Sequence, residues 1–172
     1  MKGYLLIRAM PLLLLLGLSA PLAQAADATI TVNGRVVAKP CTVSTKNVKI
    51  DFGTLYAYSF INAQSTSQWK SFDLQLTNCP VGTSQIVASF SGTPTNTDYY
   101  ANQATQDAAT NIQIELQDTA GALLKNGSNK KVTVNDNDKS VTIPLQVRLV
   151  SLTGGATQGT VQSVITVTYQ YQ

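Results

Sequence analysis

The sequence predicts an all-β sandwich, and three observations carry that prediction. Short runs with an apolar residue at every second position recur along the chain, the period of a half-buried strand. Clusters of Gly, Pro, Asn and Asp separate those runs, as turns between strands do. Past residue 25 no stretch places its apolar residues at helical spacing, which a helix packed on a core requires. The chain is short for a jelly roll. It shows no internal repeat, linker or low-complexity segment, so one domain is expected.

The elements follow in order. Lys2 and Arg8 accompany an apolar run over 5–18, and Ala23-Gln24-Ala25 supplies a small-x-small site. These are the marks of a secretory signal peptide, and the run falls short of the roughly 20 residues that span a bilayer. Cleavage is expected after Ala25, and removing 25 of 172 residues leaves 147, enough for one real core. Lys2 and Arg8 leave with the signal, so ten basic residues face nine acidic ones and the net charge falls from +3 to +1. A nearly neutral chain carries no electrostatic footprint for nucleic acid or anionic lipid.

In the stretch ADATITVNGRVVAKPC (26–41), Ala28, Ile30, Val32, Gly34 and Val36 share one face of an extended chain. Thr29, Thr31, Asn33 and Arg35 share the other. That is a strand pattern, placed where domains ordinarily fray. Cys41 and Cys79 follow, the two cysteines of a chain headed for export. In that compartment an intramolecular disulfide is the default. Closing their 38-residue separation is worth on the order of 4 kcal/mol.

Residues 42–52 read as a first core strand and 55–68 as a polar connection. Phe72, Leu74 and Leu76 mark a strand over 70–78. Ile86, Ala88 and Phe90 mark one over 84–91, stopped by Ser91-Gly92-Thr93-Pro94. Ile112, Ile114 and Leu116 define 111–118, and Val132 and Val134 suggest a short strand at 131–134. Over 140–150, Val141, Ile143, Leu145, Val147 and Leu149 are in phase, while Pro144 sits on the outer parity. Proline donates no ladder hydrogen bond, which hints at an edge or a bulge. Gly154, Gly155 and Gly159 punctuate the loop before a final strand over 160–172, where Val161, Ile165, Val167, Tyr169 and Tyr171 share a parity.

An immunoglobulin-type sandwich needs about seven strands. Six are legible after Cys41, with 131–134 as a short extra. A final strand without a successor leaves an unpaired edge and an open strip of core, a template for another strand unless something covers it. The alternating N-terminal stretch could fold back into its own gap or fill the gap of a neighbouring molecule. Composition does not choose between these.

Catalytic chemistry finds little support. The chain has no histidine, which excludes Ser–His–Asp and Cys–His arrangements. Glu115 is its only glutamate, and Asp98 and Asp107 are loop acids rather than a glycosidase pair. Asp136 and Asp138 lack the spacing and terminal glutamate of a calcium-binding EF-hand loop, so 135–139 reads as a polar turn. Asn126-Gly127-Ser128 matches a glycosylation acceptor but also reads as a turn. Trp69 with Tyr99 and Tyr100 could form a sugar-stacking platform. The plainer reading packs Trp69 at a strand start and puts the tyrosines in a long loop. No catalytic residue, metal ligand, cofactor or small-molecule substrate is expected.

Taken together, ITVNGRVVAKPCTVST, LQLTNCPVGTS, ASFSGT, NIQIELQD, GGATQGT and a penultimate tyrosine resemble type 1 fimbrial subunits assembled by the chaperone–usher route. The resemblance covers essentially the whole mature chain, and among such subunits it points to the minor adaptor beside the tip adhesin. It implies an incomplete immunoglobulin-like sandwich (the pilin fold, 41–172) completed by a donor strand from a neighbouring subunit. It implies that 26–40 is the chain's own donor-strand extension, with Ala28, Ile30, Val32, Gly34 and Val36 plugging the next subunit. The family pattern has a glycine fourteenth from the C-terminus and a tyrosine next to last, where Gly159 and Tyr171 stand. The strand between them, with Val161, Ile165, Val167 and Tyr169, corresponds to the one that the periplasmic chaperone engages. Cys41 and Cys79 correspond to the family disulfide. The implied partners are the periplasmic chaperone, the outer-membrane usher and neighbouring subunits including the tip adhesin. The implied destination is the extracellular fimbria, reached through the periplasm. A major shaft subunit is the alternative within the family, and a stand-alone carbohydrate-binding module the alternative outside it.

Overall fold

Alternation of apolar and polar residues builds two antiparallel sheets around one core, as a computed structural model of the chain shows. The structure describes residues 29–37, 39–95 and 98–172. The expected signal peptide, 1–25, and Ala28 lie outside them. Residues Val36–Gln172 form one compact unit.

Among the described residues nine strands follow in chain order: β1 (Thr42–Val43), β2 (Ser65–Thr66), β3 (Lys70–Thr77), β4 (Gln85–Gly92), β5 (Tyr100–Ala101), β6 (Gln113–Asp118), β7 (Asn129–Thr133), β8 (Val141–Ser151) and β9 (Ile165–Tyr171). One sheet runs β1-β3-β8-β6-β5, with β2 also paired to β8; the other runs β7-β4-β9. Leu74 and Leu76 of β3 stand opposite Ile143 and Val141 of β8, and Ile114 and Leu116 of β6 opposite Leu149 and Val147. All eight are buried and face Ile86, Ala88 and Phe90 of β4 across the core. Their burial is what makes the period of two visible in the sequence.

Several expectations need correction. The first core strand is only two residues long. Ser44 and Thr45 still donate backbone bonds to the Gln75 carbonyl, but 45–64 contains no strand. Val43, Ile50 and Phe52 nevertheless pack, half-buried, against the core. The polar connection contains a short 3-10 helix, Ala57–Phe60, which buries Phe60. The tyrosine loop contains β5, where Tyr100 is fully buried and donates its hydroxyl to the Leu124 carbonyl at 2.9 Å. Burial pushes that phenol up to about 12. Pro144 lies on a central strand, but β6 reaches only Leu145 of β8, so at Pro144 the strand has its β3 neighbour alone.

Cys41 and Cys79 form a disulfide, next to the Thr42–Thr77 pair that joins β1 to β3. Asp118 ends β6, buried. Desolvation pushes its carboxyl up, but the Lys130 ammonium at 2.6 Å and the backbone N–H groups of Ala122 and Ala120 outweigh it, leaving it below the ordinary value of 3.8. A carboxylate with a depressed folded-state pKa contributes stability above its unfolded pKa, and that stability fades as pH falls through the folded value. Lys130→Met should cost about 2 kcal/mol at neutral pH, the worth of a hydrogen bond to a charged group. It should also move acid unfolding to higher pH. An acid-unfolding curve identical to that of the unaltered chain would refute this role.

Candidate functional site

The site is a gap in the sandwich. β9 pairs with β4 from Ile86–Tyr171 to Gly92–Ile165, and among the described residues no strand lies on its other side. Its inward residues Ile165, Val167, Tyr169 and Tyr171 are only half-buried, although they pack on the same core as the fully buried Ile86, Ala88 and Phe90 of β4. A paired strand on that flank would cover them. Burial raises the phenols of Tyr169 and Tyr171, with the neighbouring Tyr171 adding to the effect at Tyr169.

The opposite wall belongs to the other sheet. The 118–128 connection runs from β6 to the β7 side of the three-stranded sheet, with Leu123 bridged to Gln117 and Ser128 bonded to Phe90. With β7 held on the β6 side, β9 and β1 become the two edges of the remaining flank. Val43 on β1 and the inward row of β9 border that flank, and Ile50 and Phe52 pack half-buried against the same core.

The expected strand over 160–172 divides in two. Only its second half, from Ile165, joins the sheet. Gly159 and Val161 precede it in a segment held by the 102–109 loop. Thr160 bridges Ala108 in parallel. Asn102 donates its side-chain amide to the Ala109 and Thr160 carbonyls and accepts from the Gln162 N–H at 2.9 Å. Gln103 accepts from the Val164 N–H at 3.1 Å. Gly159 has φ +152°, and a Cβ there would meet the Asp107 carbonyl oxygen and Ala109 N. Only glycine fits so close an approach. Asn102 and Gln103 escaped sequence reasoning, since polar loop residues at no fixed spacing carry no signal.

The extension shows the complementary pattern. Thr29–Val37 carries no secondary structure, and Ile30, Val32 and Val36 are 86%, 86% and 100% exposed. Gly34 has nothing within 4 Å of a Cβ built on it. Three branched apolar side chains on one parity are thus exposed, in a chain whose final strand has one unpaired edge among the described residues.

Other candidates dissolve into structure. Tyr100 is core, and Trp69 lies under the Arg148 guanidinium, 4.3 Å from the ring centroid. Arg148 in turn donates from Nε to Glu115 at 2.6 Å. Asp136 pairs with Lys139 in the turn before β8, and the turn at Asn126-Gly127 puts the glycine at φ +84°. No group of three or more metal-ligating side chains occurs among the described residues.

Comparison with known proteins agrees with this geometry. The model of the fimbrial protein family matches residues 30–172. The chain is 54% identical over 170 residues to Protein FimG of Escherichia coli K12, covering 99% of this chain and 96% of that one. It is 44% identical over 151 residues to the S-fimbrial adhesin protein SfaS of a uropathogenic Escherichia coli, covering 87% and 88%. The fold matches the P pilus rod subunit PapA with a TM-score of 0.64 at 24% identity, over 78% of this chain and all of the other. The chain belongs to the fimbrial protein family, and it is a structural subunit that polymerises with other subunits into a fimbria.

Proposed function

We propose that this chain is the adaptor at the tip of a chaperone–usher fimbria, joining the adhesin to the fibre by donor-strand exchange. One observation carries the reading: among the described residues β9 has an unpaired edge and a half-buried apolar row. A strand laid against it would add ladder hydrogen bonds worth on the order of 1 kcal/mol each. Each fully buried Ile or Val on that strand would add roughly 1.5–3 kcal/mol. The extension of this chain, with Ile30, Val32 and Val36 exposed, is such a strand, offered to the subunit ahead. Gly34 lets that strand approach closely where the receiving groove is tight. In this reading 1–25 is a cleaved signal, 26–40 the donor segment and 41–172 the pilin domain.

The remaining partners follow from the same edge. Before assembly the periplasmic chaperone covers β9, and the usher then hands the subunit to its neighbours on the way to the extracellular fibre. The 54% identity to FimG across nearly the full length of both chains supports the adaptor over the major shaft subunit. Tyr100, buried, and Trp69, covered by Arg148, leave the carbohydrate-module reading without its platform.

A synthetic donor peptide tests the open edge directly. At a hundredfold excess over its Kd, a peptide carrying the extension of the subunit behind should stabilise the mature chain by about 2.7 kcal/mol. For a domain of this size that corresponds to a rise of roughly 5–11 °C in melting temperature. An unchanged melting temperature at saturating peptide would count decisively against an open groove.

A further inference from the structure

We propose that the loop carrying Leu55, Tyr56, Tyr58 and Ile61 is a second contact between subunits, docking against the body of the neighbour whose strand fills the groove. The proposal rests on the donor-strand reading and adds to it a contact outside the groove.

The patch is conspicuous on this surface. Within seven residues four large apolar side chains are exposed, Tyr56 by 63% and Tyr58 by 71%, and the two tyrosine rings stack at 5.5 Å. Clustered exposed apolar groups of this kind mark interaction sites, and tyrosine is enriched among the residues that dominate binding energy. The loop is also held in place. Gly155 and Ala156 donate to the Ile61 and Phe60 carbonyls, and Phe60 is buried beneath it. Gly154, at φ +74°, packs so closely that a Cβ would lie 2.5 Å from the Ile61 carbonyl oxygen. An aromatic pair on a rigid support loses little entropy on docking.

The occupant follows from strand direction and chain length. One end of the sandwich holds the start of β9, the end of β8 and this loop. The other end holds Cys41, Cys79 and the end of β9, where Gln172 bonds Ser84 and Gln85. The chain's own extension therefore leaves from the second end. A guest strand parallel to β9 would bring its body to that same end and compete with the extension for space. A guest antiparallel to β9 leaves beside Ile165, at the first end, and allows head-to-tail growth. In a neighbour built like this chain, only four residues lie between Val36 and Cys41, at most about 18 Å of extended backbone. Its body is thus held next to Tyr56 and Tyr58. On this chain the corresponding disulfide-bearing end presents Val81, 91% exposed, an apolar counterpart for such a ridge.

Hydroxyl-radical footprinting of two samples tests the contact: the mature chain filled with synthetic donor peptide, and the same chain within purified fimbriae. Tyr56 and Tyr58 should be labelled severalfold less in the fimbriae. A photo-crosslinker at position 56 should form its adduct with the subunit whose extension occupies the groove. Equal labelling in the two samples, or an adduct with a different subunit, overturns the contact. The peptide-filled sample separates the two ideas: a peptide that does not raise the melting temperature refutes the donor-strand reading on which the contact rests, whereas a peptide that does raise it, with equal labelling in the two samples, refutes this contact alone. The variant Tyr56→Ser with Tyr58→Ser should keep its response to the peptide. In fimbriae its remaining patch residues, Leu55 and Ile61, should be labelled as in the peptide-filled chain; protection retained by that variant would also overturn the contact.

Discussion

Deletion of residues 26–38 should abolish incorporation of the neighbour ahead while leaving a folded, chaperone-bound subunit. The deletion removes Ile30, Val32 and Val36, whose exposure shows that this chain makes no use of their apolar surface. It leaves Cys41, both sheets and β9 intact. The loss on joining is therefore the whole donor strand: three branched side chains at roughly 1.5–3 kcal/mol each when fully buried, together with the ladder bonds between them. A joint that completes a fold is held by a barrier rather than by equilibrium affinity, since opening it exposes core. Without the strand no such barrier forms. Fimbriae from cells carrying the deletion should lack the adhesin, scored by immunoblot of sheared fibres, while the variant co-purifies with its chaperone from the periplasm. A deleted subunit still followed by adhesin in the fibre would refute the mechanism.

Replacing both cysteines, Cys41→Ala with Cys79→Ala, should lower stability by about 4 kcal/mol, the loop-closure worth of 38 residues. For this size of domain that corresponds to a fall of roughly 8–16 °C in melting temperature. The structure suggests a larger consequence than entropy alone. β1 pairs with β3 through only two residue pairs, Thr42–Thr77 and Val43–Leu76, and the chain beyond residue 44 joins no sheet before Ser65. The disulfide is thus a covalent tether of this segment, beside the Ser44 and Thr45 bonds to the Gln75 carbonyl. Without it Val43, Ile50 and Phe52 would leave the core, and the donor peptide would lose one wall. The double variant should melt lower and also gain less from the peptide than the unaltered chain. Equal melting temperatures for the two proteins, measured under non-reducing conditions, would show that the bond is dispensable.

The strands were legible where one face is wet and the other dry. Phe72-Leu74-Leu76, Ile112-Ile114-Leu116 and Val141 through Leu149 each print a period of two into the chain, because burial on one side of a pleat is a local constraint. The two cysteines in an exported chain announced their bond for an equally local reason, a matter of count and compartment. The alternation at Ile30, Val32 and Val36 was legible too, though what it would cover was not.

Long-range pairing was out of reach. Residues 42–52 alternate well enough to read as a strand, yet only Thr42 and Val43 find a ladder partner. β2 and β5 are too short to show a period, and each exists because a neighbouring strand, β8 or β6, offers it a partner. Tyr100 looked like a loop aromatic until β6 and Leu124 buried it. Gly159 and Val161 share the parity of β9 but are drawn off by Asn102 and Gln103, more than fifty residues away in sequence. By itself, then, the sequence determined an all-β chain with a disulfide, an alternating leader and a last alternating run over 160–172. Only the tertiary structure decided which edge stays open and what lines it, because an edge is defined by the absence of a partner that any distant segment could have supplied.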